Sequence, residues 1–191
     1  MTRNSIRPVT PALLRRFAVD QRGVSAVEFA VLLPLMLTMY LGGVEISQAV
    51  SADRKTTLVA HTVGDLTAQA SNVTTADMSN VLNAGAAVAY PFSASNLQVT
   101  VTSVCIDAAG TTATVAWSRT LNGTARSGVV TTQIPTALMV ANTSLIWGEA
   151  RYSYRPTIGW TITGTLNLND KFFLRPRLSN SVTLDSASGC P

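Results

Sequence analysis

From Val24 to Val44 the chain runs for twenty-one residues with a single charge, Glu28, and the sixteen residues from Phe29 to Val44 carry none. That run constrains the fold more than anything else in the sequence. It has the length of about 20 residues that one α-helix needs to cross hydrocarbon, and it exceeds the roughly 7–15 residues of a signal-peptide core. Pro34 lies inside it and Gly42-Gly43 near its end. Proline frees a backbone carbonyl, so the helix is expected to kink or loosen at Pro34 or simply to tolerate it. Glu28 is the anomaly, because a carboxylate at membrane depth costs about 2.5 kcal/mol or more and calls for a partner.

The charge around the run orients it. Residues 1–23 hold five arginines, Arg3, Arg7, Arg15, Arg16 and Arg22, against Asp20, whereas from Val24 onward nine basic residues balance nine acidic ones. Arginines flanking a span stay cytoplasmic, so residues 46–191 are expected on the exported side. The overall basicity belongs to the leader and not to a folded face, which argues against a nucleic-acid partner. Arg15-Arg16 lacks the flanks of a twin-arginine signal. Cys105 and Cys190 both fall on the exported side, where an even cysteine count predicts a disulfide, with two unpaired thiols as the alternative.

The junction itself, Gly23-Val24-Ser25-Ala26-Val27-Glu28-Phe29, resembles the processing site of prepilins. Glycine is followed by four residues, then by Glu and an aromatic. Together with the arginine-rich leader and A-V-L-L-P-L-M-L downstream, it resembles the TadE-like pseudopilin family of the Tad/Flp (tight adherence) pilus system. The similarity is concentrated in residues 15–50, with a weaker hint in F-F-L-R-P-R-L at 172–178. The resemblance implies a cytoplasmic leader over 1–23, a transmembrane helix over 24–45 and an exported, pilin-like α+β head over 46–191. It implies cleavage between Gly23 and Val24 by a prepilin peptidase. It further implies pairing of Glu28, followed by Phe29, with the free N-terminal amine of a neighbouring subunit. The implied partners are that peptidase, other pseudopilins, the major Flp pilin, the inner-membrane Tad platform and membrane lipid, with no cofactor. The implied location is the bacterial inner membrane, crossed once with the N-terminus inside, in or at the base of the pilus. Without such pairing, Glu28 would sit at the headgroup boundary, snorkelling or protonated.

Beyond the run, Ile46, Val50, Val59, Val63, Leu66 and Ala70 recur at helical spacings, so the first helix is expected to continue into the head. A second helix is predicted over 75–90, with Met78, Val81, Leu82 and Gly85 as its apolar stripe. Thr74 and Asp77 read as its cap and Pro91 as its stop. The period then changes to two. Leu97, Val99, Val101 and Cys105 share one predicted face, as do Ala113, Val115 and Trp117, around a turn at Asp107–Gly110. Further strands are expected over 144–154, 160–168 and 181–184. The fold class is therefore α+β: a long N-terminal helix, a second helix and an antiparallel sheet of four or five strands. In R-Y-S-Y-R-P, Arg151 and Arg155 flank aromatics, which predicts a sheet face with cation–π contacts or a binding patch.

Catalytic signatures are missing. His61 is the only histidine, with Asp65 one helical turn later, and reads as a surface polar pair. One histidine and two distant cysteines do not make a zinc site of ordinary spacing, and there is no P-loop, dinucleotide fingerprint or G-x-S-x-G elbow. A non-enzymatic role is expected. Two alternatives remain open: a signal-anchored periplasmic scaffold never cut at Gly23, and a secreted domain cut after Ala49, where Ser47-Gln48-Ala49 offers small residues.

Overall fold

A computed structural model describes residues 23–157, 164–186 and 190. Helix α1 (Val24–Ala68) is unbroken over 45 residues, with Pro34 inside it. The Thr38 hydroxyl donates to the Pro34 carbonyl at 2.7 Å. By backbone contacts the chain divides into two compact units, residues 1–44 and 45–191. The described part of the first is the apolar stretch of α1.

In the second unit α1 is followed by β1 (Asn72–Val73), α2 (Thr75–Val88), β2 (Leu97–Ile106), β3 (Ala113–Leu121), β4 (Ser144–Tyr154), β5 (Leu166–Leu174) and β6 (Thr183–Leu184). Strands β2 to β5 form one antiparallel sheet in the order β3-β2-β4-β5, and β1 pairs in parallel with β6. The architecture is the expected α+β: long helix, second helix, antiparallel sheet. Strand β4 occupies the predicted span. The strand placed over 160–168 instead runs Leu166–Leu174, so Phe172 and Phe173 are strand residues, and 158–163 lie outside the described residues.

α2 forms for local reasons. The Thr74 hydroxyl accepts from the Asp77 amide, and the Asp77 carboxylate accepts from the Thr74 amide, a reciprocal capping box. A second carboxylate reaches the same turn from far along the chain, where Asp185 accepts from the Thr75 amide (2.9 Å) and hydroxyl (2.6 Å). Met78, Leu82 and Gly85 are buried and turned to the core.

α1 and α2 cover one face of the sheet. There Val59, Val63, Met78, Leu97, Val99, Val101, Ile146, Ala150, Tyr152 and Tyr154 form the larger core. The buried stripe of α1 is made of small residues, Ala52, Thr56, Val59, Ala60, Val63, Gly64 and Thr67. Ile46, Val50 and Leu66, expected on it, are exposed. Small residues win because the backbones come close. A Cβ added to Gly148 on β4 would lie 2.4 Å from the Ala60 carbonyl oxygen, and one on Gly85 would lie 2.6 Å from Val63 Cγ1. The larger apolar side chains could not stand between surfaces this near.

The opposite sheet face carries a smaller core of Val104, Ile106, Ala113, Val130, Ile134, Leu145 and Trp147. Here one expectation is corrected. Ala113, Val115 and Trp117 do not share a face, because the β2–β3 register steps from Ser103↔Trp117 to Val104↔Val115. The extra residue in β3 is a β-bulge, and a one-residue slip moves every later side chain to the other face. Trp117 therefore belongs to the helix side, donating from Nε1 to the Val182 carbonyl at 2.7 Å, while Ala113 and Val115 pack on the other side. Cys105 is half-buried rather than fully inward, and is joined to Cys190 in a disulfide across a separation of 85 residues.

Candidate functional site: the N-terminal helix and its junction

Gly23 immediately precedes the first residue of α1, and a side chain added there would meet nothing within 4 Å. Packing among the described residues therefore does not demand glycine at this position. Val24 (51 % exposed) and Phe29 (60 % exposed) project freely. Glu28 is exposed too, one helical turn beyond Val24. No hydrogen bond or ion pair to it is found among the described residues. With a rise of about 1.5 Å per residue, Val24 and Glu28 lie about 6 Å apart along the axis and on the same side. A positive group at Val24 N and the Glu28 carboxylate could thus be presented together to one neighbour.

The twenty-one residues from Val24 to Val44 make a helix about 30 Å long, the thickness of a hydrocarbon core. Its most apolar 18-residue window has a mean hydropathy of 1.9 and is wholly unburied. Leu32, Leu35, Met36, Met39 and Tyr40 are all exposed. By length and composition α1 is a candidate membrane anchor. The stretch is apolar all round and is left uncovered by the described residues.

Past this stretch α1 enters the head core. Ala49 packs against that core and Ala52 is buried. The Tyr154 hydroxyl reaches Gln48 Oε1 at 3.5 Å, and burial, then the nearby Glu45 charge, raises the Tyr154 pKa above its ordinary value. The sites singled out in sequence are therefore not gathered into one pocket. Gly23, Val24, Glu28, Phe29 and Pro34 line up along a single exposed helix, and Cys105–Cys190 staples the head.

Residues 23–64 match the model of the TadE-like protein family. The resemblance drawn from the junction is thus borne out over that segment, which starts at Gly23 and takes in the apolar stretch and most of the helix beyond it. No curated protein and no solved structure matches the chain. The match is to this segment, and the head beyond residue 64 lies outside it. Among the described residues no group of three or more His, Cys, Asp or Glu side chains could hold a metal ion.

Two expected polar groupings are rearranged outside the TadE-like segment's apolar stretch. His61 does not pair with Asp65; it stacks on Phe172 with ring centroids 3.6 Å apart. Asp65 instead accepts from Gln69 Nε2 (2.6 Å) and from Arg177. In R-Y-S-Y-R-P, the tyrosines turn into the helix-side core against Phe92. Arg151 lies on the other face, where it and Arg126 both bind Glu149. Among the described residues Arg126 lies 4.0 Å above the Trp147 ring in a cation–π contact. Sequence reading missed this cluster because Arg126 sits in an irregular segment whose spacing from Glu149 has no period. A basic residue in an otherwise neutral loop was the only signal.

Proposed function

We propose that this chain is a minor pseudopilin or assembly component of a Tad (type IVc) pilus and acts by contact rather than catalysis. A prepilin peptidase cuts between Gly23 and Val24 on the cytoplasmic side of the inner membrane. The helix from Val24 to about Glu45 then crosses the bilayer once, and the head over 46–191 lies in the periplasm. Glu28, now the fifth residue, pairs with the free Val24 amine of a neighbouring subunit. In a low-dielectric setting such a pair attracts strongly, and either charge left alone is costly, so the pair sets register between subunits. Partners on this reading are related pseudopilins, the major Flp pilin and the inner-membrane platform.

One observation carries the reading: the TadE-like match begins at Gly23, a glycine that packing does not require, and runs through the unburied apolar helix. The exposed, unpartnered Glu28 adds to it. Cleavage after Ala49 is disfavoured by the same helix, which passes through Ser47-Gln48-Ala49 unbroken and packs Ala49 on the core.

Intact mass and N-terminal sequencing of the protein from its native membrane test the reading. A chain beginning at Val24, with or without an N-methyl group, is the expected result. A chain that keeps Met1 makes the protein an unprocessed signal anchor, and one beginning at Val50 makes the head a secreted domain.

A further inference from the structure

Beyond the smaller core, the sheet face turned away from the helices is polar and exposed among the described residues. Strand register assembles it in rows. Thr100, Glu149 and Lys171 stand directly across from one another, as do Gln98, Arg151 and Asn169, and beside them Ser153 and Asn167. Opposite residues of antiparallel strands share a face, and Gln98, Arg151, Ser153, Asn167, Asn169 and Lys171 are all exposed. A cleft of about 560 Å³ lies over this face between Arg126, Trp147, Arg151 and Lys171.

Its charges do not cancel. The Glu149 carboxylate is saturated, with Arg126 Nε and Nη2 on one oxygen (3.1 and 2.6 Å) and Arg151 Nε and Nη2 on the other (3.2 and 2.9 Å). Arg126 is further fixed by Gln133 Oε1 at 2.6 Å. Arg151 is fixed in orientation but its side chain is 59 % exposed, and its Nη1 takes no part in these bonds. Lys171 Nζ extends over Trp147 and Phe173, 6.0 and 5.8 Å from the ring centroids, with only a 3.5 Å contact to the Gln133 carbonyl. Asp170 also borders the cleft, its carboxylate accepting from the Lys171 amide at 2.7 Å. Arg126, Arg151 and Lys171 thus face Glu149 and Asp170, three positive charges against two negative.

We propose that this face binds a carboxylate-bearing extended segment of another polypeptide, with Arg151 and Lys171 taking the acidic side chains. Guanidinium donors already held in one plane lose little freedom on binding a carboxylate. The polar rows repeat every second residue, about 6.8 Å, which is also the spacing of same-side side chains on an extended peptide. An acidic polysaccharide fits less well, because Trp147 is 2 % exposed beneath Arg126. Phe173, the ring beside it, is half-buried with Lys171 Nζ 5.8 Å from its centroid, so neither offers a fully open face for a sugar to stack on. The inference does not depend on cleavage at Gly23 or on a pilus.

The full chain in detergent micelles, incubated with a dye-labelled alternating Glu-Ser peptide and a zero-length carbodiimide, gives a direct test. The sequence holds two lysines, Lys55 and Lys171, so the cross-link position reports where the carboxylates dock. Cross-linking at Lys171 in clear excess over Lys55 and the leader, suppressed by salt, is the expected result. Anisotropy should show about tenfold weaker peptide binding to the R151Q/K171Q double variant. Cross-links spread evenly or placed at Lys55 or the N-terminus, or unchanged affinity in the double variant, would overturn the proposal. So would binding of polygalacturonate at Lys171 without binding of the peptide.

Discussion

At Gly148 a single hydrogen is what lets β4 approach α1. A methyl group there would sit 2.4 Å from the Ala60 carbonyl oxygen, a backbone atom that cannot swing aside. Gly148→Ala is therefore expected to destabilise the head by about 1–3 kcal/mol, read as a lower melting temperature of the full chain in detergent. Gly85→Ala meets a side-chain methyl of Val63 rather than backbone, so its loss should be smaller. Carboxylates supply the other residue-scale dependence. Hydrogen bonds from the Thr74 amide and hydroxyl lower the Asp77 pKa, those from the Thr75 hydroxyl and amide lower that of Asp185, and the amides of Thr112 and Thr111 lower that of Asp107. Groups with depressed values contribute stability that is present above the ordinary carboxylate value of 3.8 and lost as pH falls through the folded value. Asp185→Asn should accordingly melt below the native chain at neutral pH, with the gap closing in acid. A gap that persists unchanged in acid would remove the carboxylate's charge from the account.

At the scale of elements, the disulfide and the β1–β6 pair act together. Cys105–Cys190 closes a long loop, and residues near its far end hold the core shut: Trp117 donates to Val182, Ser144 to Asn180 (2.6 Å), and Val182 and Leu184 are buried. Replacing both cysteines by serine is expected to cost about 2–5 kcal/mol. Hydrogen exchange should rise first over residues 181–185; uniform loosening of the whole head would contradict that order. Elements with local signals were legible in the sequence. α2 announced itself through Thr74, Asp77 and Pro91, and β4 through its alternation. What was not legible came from contacts between distant segments. The β3 bulge depends on how β2 pairs. On α1, Val59 and Val63 followed the periodicity, whereas the Ala, Thr and Gly positions around them reflect distance to the sheet, which hydrophobic periodicity does not measure. β5 was displaced because L-N-L-N-D-K-F-F-L breaks its alternation at Asp170-Lys171, where register rather than pattern decides the faces.

For the whole molecule, the candidate site was more legible than the head. Gly23, Glu28 and the apolar run are neighbours in sequence, so no folding is needed to bring them together. The Arg126–Glu149–Arg151 cluster is assembled only by the fold. Glu28→Ala is expected to leave membrane insertion and cleavage intact and to abolish incorporation into filaments, seen as processed protein in the membrane fraction and none in sheared pili. Piliation that survives the change would remove Glu28 from subunit register.

The far end of the head sequence also sets a timetable. Among the described residues the core is closed by residues 180–186 and Cys190, which lie against β1, β2, β3 and the first turn of α2. On the proposed topology the chain is threaded outward with α1 leading. The head core then closes fully only when that distal stretch emerges and Cys190 meets an oxidising solvent. Closure of the head is thus tied to the arrival of its last core segment rather than of its first helix.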